Sequence, residues 1–459
     1  MGSIGLSFGS ATSGQGIDVS STVTQIISNY QQVETPWKDQ LTLLQNQDTV
    51  MSTLGTQMSA FTTEIQNLTD AMGVFSGKSG SSSDTNVLEL TSASSSAVAG
   101  THTVTVQNLA QTSSAATSVV AASDTLSGSV SVQVGSGQQY TVNVGDGSTA
   151  PTLSGLAAAI NAAGIGVTAT ILTDTNGARL SVVSNTNGSA GTLTVSGSLT
   201  DTSSPSGNQS VLFNQVQAGQ DATLQVDGVS ITSASNTVTS AIPGVTFQLL
   251  SANQNEPVQV IIANNNSSIE SGLSTFVNDY NTLLKSITAQ EGKDSSGNPE
   301  PLFGNPLIAE LQNMLQGALN SVPAKGSITS LYSLGITTNS DGTLSLNTDT
   351  LDAVLNSNFN DVMGFFQDAG SFGTSFATML NDLGTSNPNG LLALTQKMNL
   401  SEESILNNDI SNEESRLNDV KAQLTTELNT VNQTLQAIPS QINYVNELYG
   451  AITGYNQKG

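Results

Sequence analysis

Residues 417–452 read LNDVKAQLTTELNTVNQTLQAIPSQINYVNELYGAI, and an apolar residue recurs there every three or four positions. Leu417, Val420, Leu424, Leu428, Val431, Leu435, Ile438, Ile442, Val445, Tyr449 and Ile452 fall on one narrow stripe; Asn, Gln, Thr and a few charges fill the rest. A helical period held for about ten turns with a single apolar face predicts a long helix that packs on another helix. Leu428 follows Leu417 by eleven residues, which relaxes a left-handed supercoil locally. Ser401 before Glu402 and Glu403 predicts an N-cap with acids set against the helix dipole. Pro439 predicts an end or kink near Ile438, because proline lacks a backbone donor and clashes with the preceding turn.

A second stripe lies near the other end of the chain. Val23, Ile26, Tyr30, Val33 and Trp37 lead into Leu41, Leu44, Met51, Met58, Phe61, Ile65, Leu68 and Met72. Trp37 reads as a core or interface anchor. Thr35-Pro36 reads as an N-cap followed by proline at the first helical position. If the two helices pair antiparallel with residue 22 level with residue 453, Pro36 stands opposite Pro439. Both helices then break at one level, and a hinge is expected there. The contact positions this assigns are Val23, Ile26, Tyr30, Val33, Trp37 and Leu41 on one helix. On the other they are Leu428, Val431, Leu435, Ile438, Ile442 and Val445, with Pro36 and Pro439 as the hinge.

Between these helices the period changes from 3.6 to two. A Gly/Ser stretch, residues 76–84, reads as a linker. After it His102, Val104 and Val106 alternate with Thr, as do Val130, Val132 and Val134, then Val142 and Val144. Leu153, Leu156, Ala157 and Ile160 form one short helix closed by Gly164. Strands follow at 167–172, 180–183 and 193–195, with a hairpin turn at Asn176-Gly177. Further strands are expected at 224–226, 229–231, 245–250 and 258–262, and helical spacing returns from Ile269. The chain leaves a helical region, builds β modules and comes back. The fold expected is α+β and multi-domain: long, coiled-coil-like terminal helices packing together, with nested, largely antiparallel β domains between them. The boundaries expected are 1–44 with 396–459, 45–83 with 267–395, 84–127 with 219–266, and an inserted 128–218. Seams are expected near Gly128, the Pro205–Asn208 stretch and Gly219.

Composition removes several functions. The chain has 459 residues, more than one core usually supports, and 10 Lys and Arg against 35 Asp and Glu, a net charge of −25. Nucleic-acid binding and polybasic membrane attachment both need cations that are scarce here. No apolar run is long enough to span a bilayer, and residues 1–16 lack the basic and apolar regions of a cleaved signal peptide. Without cysteine and with only one histidine, neither a zinc site nor a serine or cysteine nucleophile with its base can be assembled. His102, on the apolar side of a strand, reads as structural. Asp174–Gly177 and Asn339–Gly342 lack the ligand ladder of a calcium loop and read as turns. No catalytic residue, metal or cofactor is expected.

The ordered segments resemble the flagellar filament cap (flagellar hook-associated protein 2) family. The likeness is carried by Gly16–Val19 with Val23, Ile26 and Ile27, by Glu34–Pro36 with Leu41, and by Val104–Ala110. It continues through Leu156–Asn161, Val167–Ile171, Val226–Gly228, Gly244–Thr246, Phe276–Asn281, Leu334–Ile336 and Asp341–Leu344. The resemblance implies a structural protein, exported by the flagellar type III route without a cleaved signal peptide, that forms a pentamer-like homo-oligomer at the filament tip. It further implies flagellin, the filament tip or junction proteins, and an export chaperone as partners, with no nucleic acid and no membrane. Two alternatives remain at this point: a secreted Ser/Thr-rich surface adhesin, and another flagellar axial protein such as a junction protein.

Overall fold

The structure is a computed structural model describing residues 16–320 and 326–454. The segment read above for a signal peptide lies almost wholly outside these residues. Two compact units divide the chain: residues 1–69 with 270–459, and residues 70–269.

The helical unit opens with α1 (Val19–Gln31), capped by Asp18, whose carboxylate accepts from the Ser21 N–H at 3.0 Å. After a three-residue break comes α2 (Thr35–Thr69), with Pro36 in the first turn, where a missing donor leaves no bond unmade.

The β unit follows in chain order. It begins with β1 (Lys78–Ser82), β2 (Leu88–Ala93), β3 (Gly100–Asn108), β4 (Ser114–Thr117), β5 (Leu126–Val134) and β6 (Tyr140–Val144). Next come α3 (Leu153–Ala162), β7 (Val167–Asp174), β8 (Gly177–Ser184), β9 (Leu193–Asp201), β10 (Gln209–Val211) and β11 (Phe213–Gln217). It ends with β12 (Ala222–Val226), β13 (Val229–Ser233), β14 (Thr237–Val238), β15 (Val245–Leu249) and β16 (Asn253–Asn264). The sheet β1-β16-β3-β12-β13 and the sheet β14-β15-β2 share one core, with Leu88, Val104, Leu224, Phe247 and Val260 inside. The sheets β10-β9-β5-β6 and β11-β4-β8-β7 share a second with α3, around Val130, Leu156, Ile160 and Leu180. Alternation builds both: Val130 and Val132 point inward from β5 while the residues between them stay nearer solvent.

Two readings need correction here. The Gly/Ser stretch at 76–84 is no free linker, because β1 pairs Lys78–Ser82 with Asn264–Val260 of β16. An edge ladder needs only backbone, so a strand without apolar residues leaves no periodic signal. Gly128 lies inside β5, between Val144 and Leu199, rather than at a seam. Its φ of 124° and the Ser198 carbonyl beside it leave no room for a side chain. His102 lies on the same side of β3 as Val104 but at the rim, half-buried, with Nδ1 2.7 Å from Asp227 Oδ2. The hairpin expected at Asn176-Gly177 forms one residue earlier, with Thr175-Asn176 as its loop and Gly177 opening β8, and the Gly164 stop stands as read, with φ 61°. The Pro205–Asn208 stretch lies between β9 and β10, and Gly219 between β11 and β12.

Asp227 and Gly228 make the β12–β13 turn with φ of 48° and 84°, the left-handed pair a two-residue hairpin takes. The Thr103 N–H donates to Asp227 Oδ1 at 2.8 Å. That bond first, and His102 second, hold the Asp227 carboxyl below its ordinary value. A depressed carboxyl stabilises the fold above its unfolded-state pKa, about 3.9, and the contribution disappears as pH falls through the folded value. Asp227→Asn is therefore expected to lower stability at pH 7 and to shrink its deficit below about pH 4. Urea midpoints at both pH values check this; an equal deficit at the two would refute it.

The chain then returns to helix through α4 (Asn266–Ala289) and α5 (Pro306–Asn320), the hairpin β17 (Ile336–Thr338) and β18 (Leu344–Leu346), α6 (Thr348–Gln367), α7 (Phe372–Leu383) and α8 (Leu391–Thr453). Phe61, Phe276, Phe372 and Phe376 lie inside this unit, with the Phe276 centroid 5.2, 6.0 and 5.4 Å from the other three. Ser401 is interior to α8, which starts at Leu391 because Leu392 is fully buried there. Tertiary burial extends the helix past the capping signal. α8 also runs through Pro439 without ending. Proline there leaves the Leu435 carbonyl without its helical donor.

Candidate functional site

The chemistry-bearing feature of the helical unit is the seam between its terminal helices. Ile17, Val19, Val23 and Ile27 form a buried row, against which Val420, Leu424, Leu428 and Leu435 of α8 pack. Polar bonds fix the register. The Ile17 N–H donates to Asn432 Oδ1 at 2.8 Å, and Lys38 Nζ donates to Glu414 Oε1 at 3.0 Å. Farther along, Asn399 Nδ2 donates to Asp48 Oδ1 at 2.9 Å. The partners descend on α8 as they rise on α1 and α2, so the helices are antiparallel.

This register overturns the shared hinge level. Pro36 lies beside the Lys38–Glu414 contact, whereas Pro439 lies past Asn432, beyond the Ile17 contact. About 37 Å of helix separates Glu414 from Pro439. Seating of Val19, Val23 and Ile27 sets the level; the prolines do not. The helix break near Pro36 stands alone.

Lys38, on α2, ties the break after α1 to α8. It donates to Glu34 Oε2 at 2.7 Å as well as to Glu414, and these carboxylates, Glu34 foremost, raise its pKa. The Glu34 side chain is 2% exposed, and its Oε1 meets no hydrogen-bond donor among the described residues. Burial pushes the Asp48 carboxyl up, with the Asn399 bond opposing. Lys38, Glu414 and Asn432 were not singled out in the sequence, and Glu34 only as part of the family likeness. The one available signal was Lys38 itself, the first cation of an acidic chain.

The residues assigned to helix contacts divide into three groups. Val23 is buried in the seam, and Leu428 and Leu435 pack against it. Ile26, Trp37, Leu41 and Ile438 are half-buried. Tyr30, Val33, Val431, Ile442 and Val445 are exposed. A further exposed row, Leu394, Met398 and Ile405, runs along the first turns of α8 on the side away from buried Leu392, Leu406 and Ile410. Such faces bind other apolar faces; they hold no reactive set. Among the described residues no group of three His, Cys, Asp or Glu could hold a metal, and no helix is long and apolar enough to cross a membrane.

Comparison with known proteins follows the same segments. The family model for the flagellar hook-associated protein 2 N-terminus matches residues 15–113, and that for its C-terminus matches residues 219–440. The B-type flagellar hook-associated protein 2 of Pseudomonas aeruginosa is 29% identical over 344 residues, 69% of this chain and 72% of that protein. The flagellar hook-associated protein 2 of Escherichia coli is 28% identical over 362 residues, 74% and 76% of the two. A crystal structure of three domains of the flagellar cap protein from Escherichia coli aligns with a TM-score of 0.53 at 27% identity. It covers 76% of this chain and 99% of that one.

Proposed function

This chain belongs to the flagellar hook-associated protein 2 family, and from that premise we propose that it caps the distal tip of the flagellar filament by packing rather than by catalysis. The observation that carries the reading is where the two family models fall. Together they take in Ile17–Ile27 and Val420–Leu435, both sides of the terminal seam. The seam makes one stiff antiparallel pair, and its outward residues Tyr30, Val33, Leu394, Met398 and Ile405 offer apolar contacts to neighbours. Identical subunits with such faces close into a ring through head-to-tail contacts. A ring over the mouth of a tubular polymer retains exported flagellin and admits it at one opening at a time.

The finer parts of this reading are a pentamer-like ring, junction proteins and an export chaperone as further partners, and export without a cleaved signal peptide. The β unit, with one core built by β1–β3 and β12–β16 and a second by β4–β11 with α3, forms the plate of the cap. The family match does not favour the adhesin or junction alternatives.

Cells lacking the protein are expected to build hooks without filaments and to release monomeric flagellin into the medium. Deleting residues 1–40, which removes one side of the seam, should give the same result. Flagellin is weighed in the supernatant and in filaments for wild type and both mutants. Full-length filaments in the null strain would overturn the cap assignment.

A further inference from the structure

Asparagine is followed by glycine at three places, Asn176, Asn187 and Asn389, and all three asparagines are exposed. The pair carries its own chemistry. Because glycine has no Cβ, its backbone nitrogen can approach the asparagine Cγ and close a five-membered ring. A bond forms from that nitrogen to Cγ, and the side-chain amide departs as ammonia with the proton the nitrogen gave up. Water then opens the succinimide at either carbonyl, leaving aspartate or isoaspartate. In isoaspartate the main chain runs through the former side chain and is one atom longer. The nitrogen attacks only after releasing its proton, so a hydrogen bond that already holds this N–H resists the reaction.

The three glycines differ in that bond. At the start of α8 the Gly390 N–H donates to the Asn387 carbonyl at 2.8 Å. Ala178 exchanges both backbone bonds with Val120, at 2.7 and 3.0 Å, on one side of β8. Alternation along the strand therefore turns the Gly177 N–H the other way, onto its partner Asp174. Gly188 alone is left with no acceptor for its N–H among the described residues. The fold also requires glycine at this position. Its φ is 75°, and a Cβ there would run into Asp221 Oδ1 and the Ala234 backbone.

The next residue holds the two β modules together. Ser189 lies between β8 and β9, and its N–H and Oγ donate to Asp221 Oδ1 and Oδ2 at 2.7 and 2.8 Å. Asp221 stands directly before β12, in the other module. Beside it Gln111 and Gln220 exchange backbone bonds at 2.8 and 3.0 Å, where the chain crosses between the modules. We propose that Asn187 is a self-modification site. Attack by the Gly188 nitrogen converts it to isoaspartate, and the added backbone atom draws Ser189 off Asp221 and loosens the joint. This inference concerns the single chain and stands whether or not the filament reading holds.

Full-length protein is held at mildly alkaline pH, folded in buffer and unfolded in urea, and the three Asn-Gly peptides are followed by mass spectrometry. The ratio of unfolded to folded rate removes the influence of neighbouring residues. Folding is expected to protect Asn176 and Asn389 about fivefold more than Asn187, the measure of one backbone hydrogen bond. Equal protection at all three, or greatest protection at Asn187, would overturn the assignment. Hydrogen exchange at Ser189 then reads the joint. In aged wild type the Ser189 amide should exchange about tenfold faster than in fresh protein, because a charge-assisted bond is lost. Aged Asn187→Gln, whose longer side chain closes a ring far more slowly, should keep the fresh rate. Asn187→Ser serves as the unreactive control should fresh Asn187→Gln differ from fresh wild type. A sample rich in isoaspartate at 187 with Ser189 still protected would overturn the loosening.

Discussion

Replacing Val23 with Asp is expected to detach α1 from α8 and abolish filament growth while leaving the β unit folded. Val23 is 2% exposed and sits mid-row between Val19 and Ile27. An ionised carboxylate with no cation beside it costs several kcal/mol to bury, so the helix leaves its seat. A 13-residue helix without a partner is marginal in water, so α1 then melts. Limited proteolysis should cut within residues 16–31 in the mutant far sooner than in wild type, and swimming assays should show loss of motility. Val23→Ala removes volume without adding charge and should fall between the two. A mutant whose α1 is as protected as wild type would show that the seam does not hold the helix.

Replacing Phe276 with Ala is expected to destabilise the helical unit by about 4 kcal/mol, the middle of the range for emptying a buried aromatic site. Phe276 is fully buried on α4 and touches rings from α2 and α7, so the void lies where three helices meet. None of these helices can close the gap without opening another contact. The melting temperature should drop by roughly 10 °C for a unit of this size. Trp37 is the chain's only tryptophan and belongs to the helical unit, so its fluorescence follows that unit alone. A drop under 1 kcal/mol would mean that the ring cluster is not the keystone of this core. The same experiment on Val130→Ala should leave the tryptophan transition unmoved.

The sequence carried the fold wherever burial was periodic. The stripe from Val23 to Leu68 became α1 and α2, and the alternating Val residues became β3, β5 and β6. Period is visible because a buried face must repeat with the element that bears it. What was not legible depends on partners far away in the chain. β1 exists because β16 offers it a ladder, and its own residues do not announce it. The start of α8 is set by burial of Leu392, and Ser401 was only a local capping signal. At the candidate site the apolar row was readable, but its register was not. Residues 417–452 repeat so evenly that sliding by a turn or two keeps apolar against apolar. Single polar contacts, Ile17 to Asn432 and Lys38 to Glu414, decide the level, and no periodicity contains them.

Two pairs of strand partners carry a consequence for how this architecture can change. Lys78 pairs with Asn264 where the chain enters and leaves the β unit, and Ser114 pairs with Gln217 where it enters and leaves the β4–β11 module. Antiparallel partners stand about 5 Å apart, so each module is plugged in through two neighbouring backbone points. A cassette with such closely spaced ends can be removed, enlarged or exchanged while the flanking ladder keeps its geometry. The family models end at residue 113 and resume at residue 219, bracketing the inner cassette almost to the residue. Recombination at these two steps would let the inner module diversify while the helical seam stays the same.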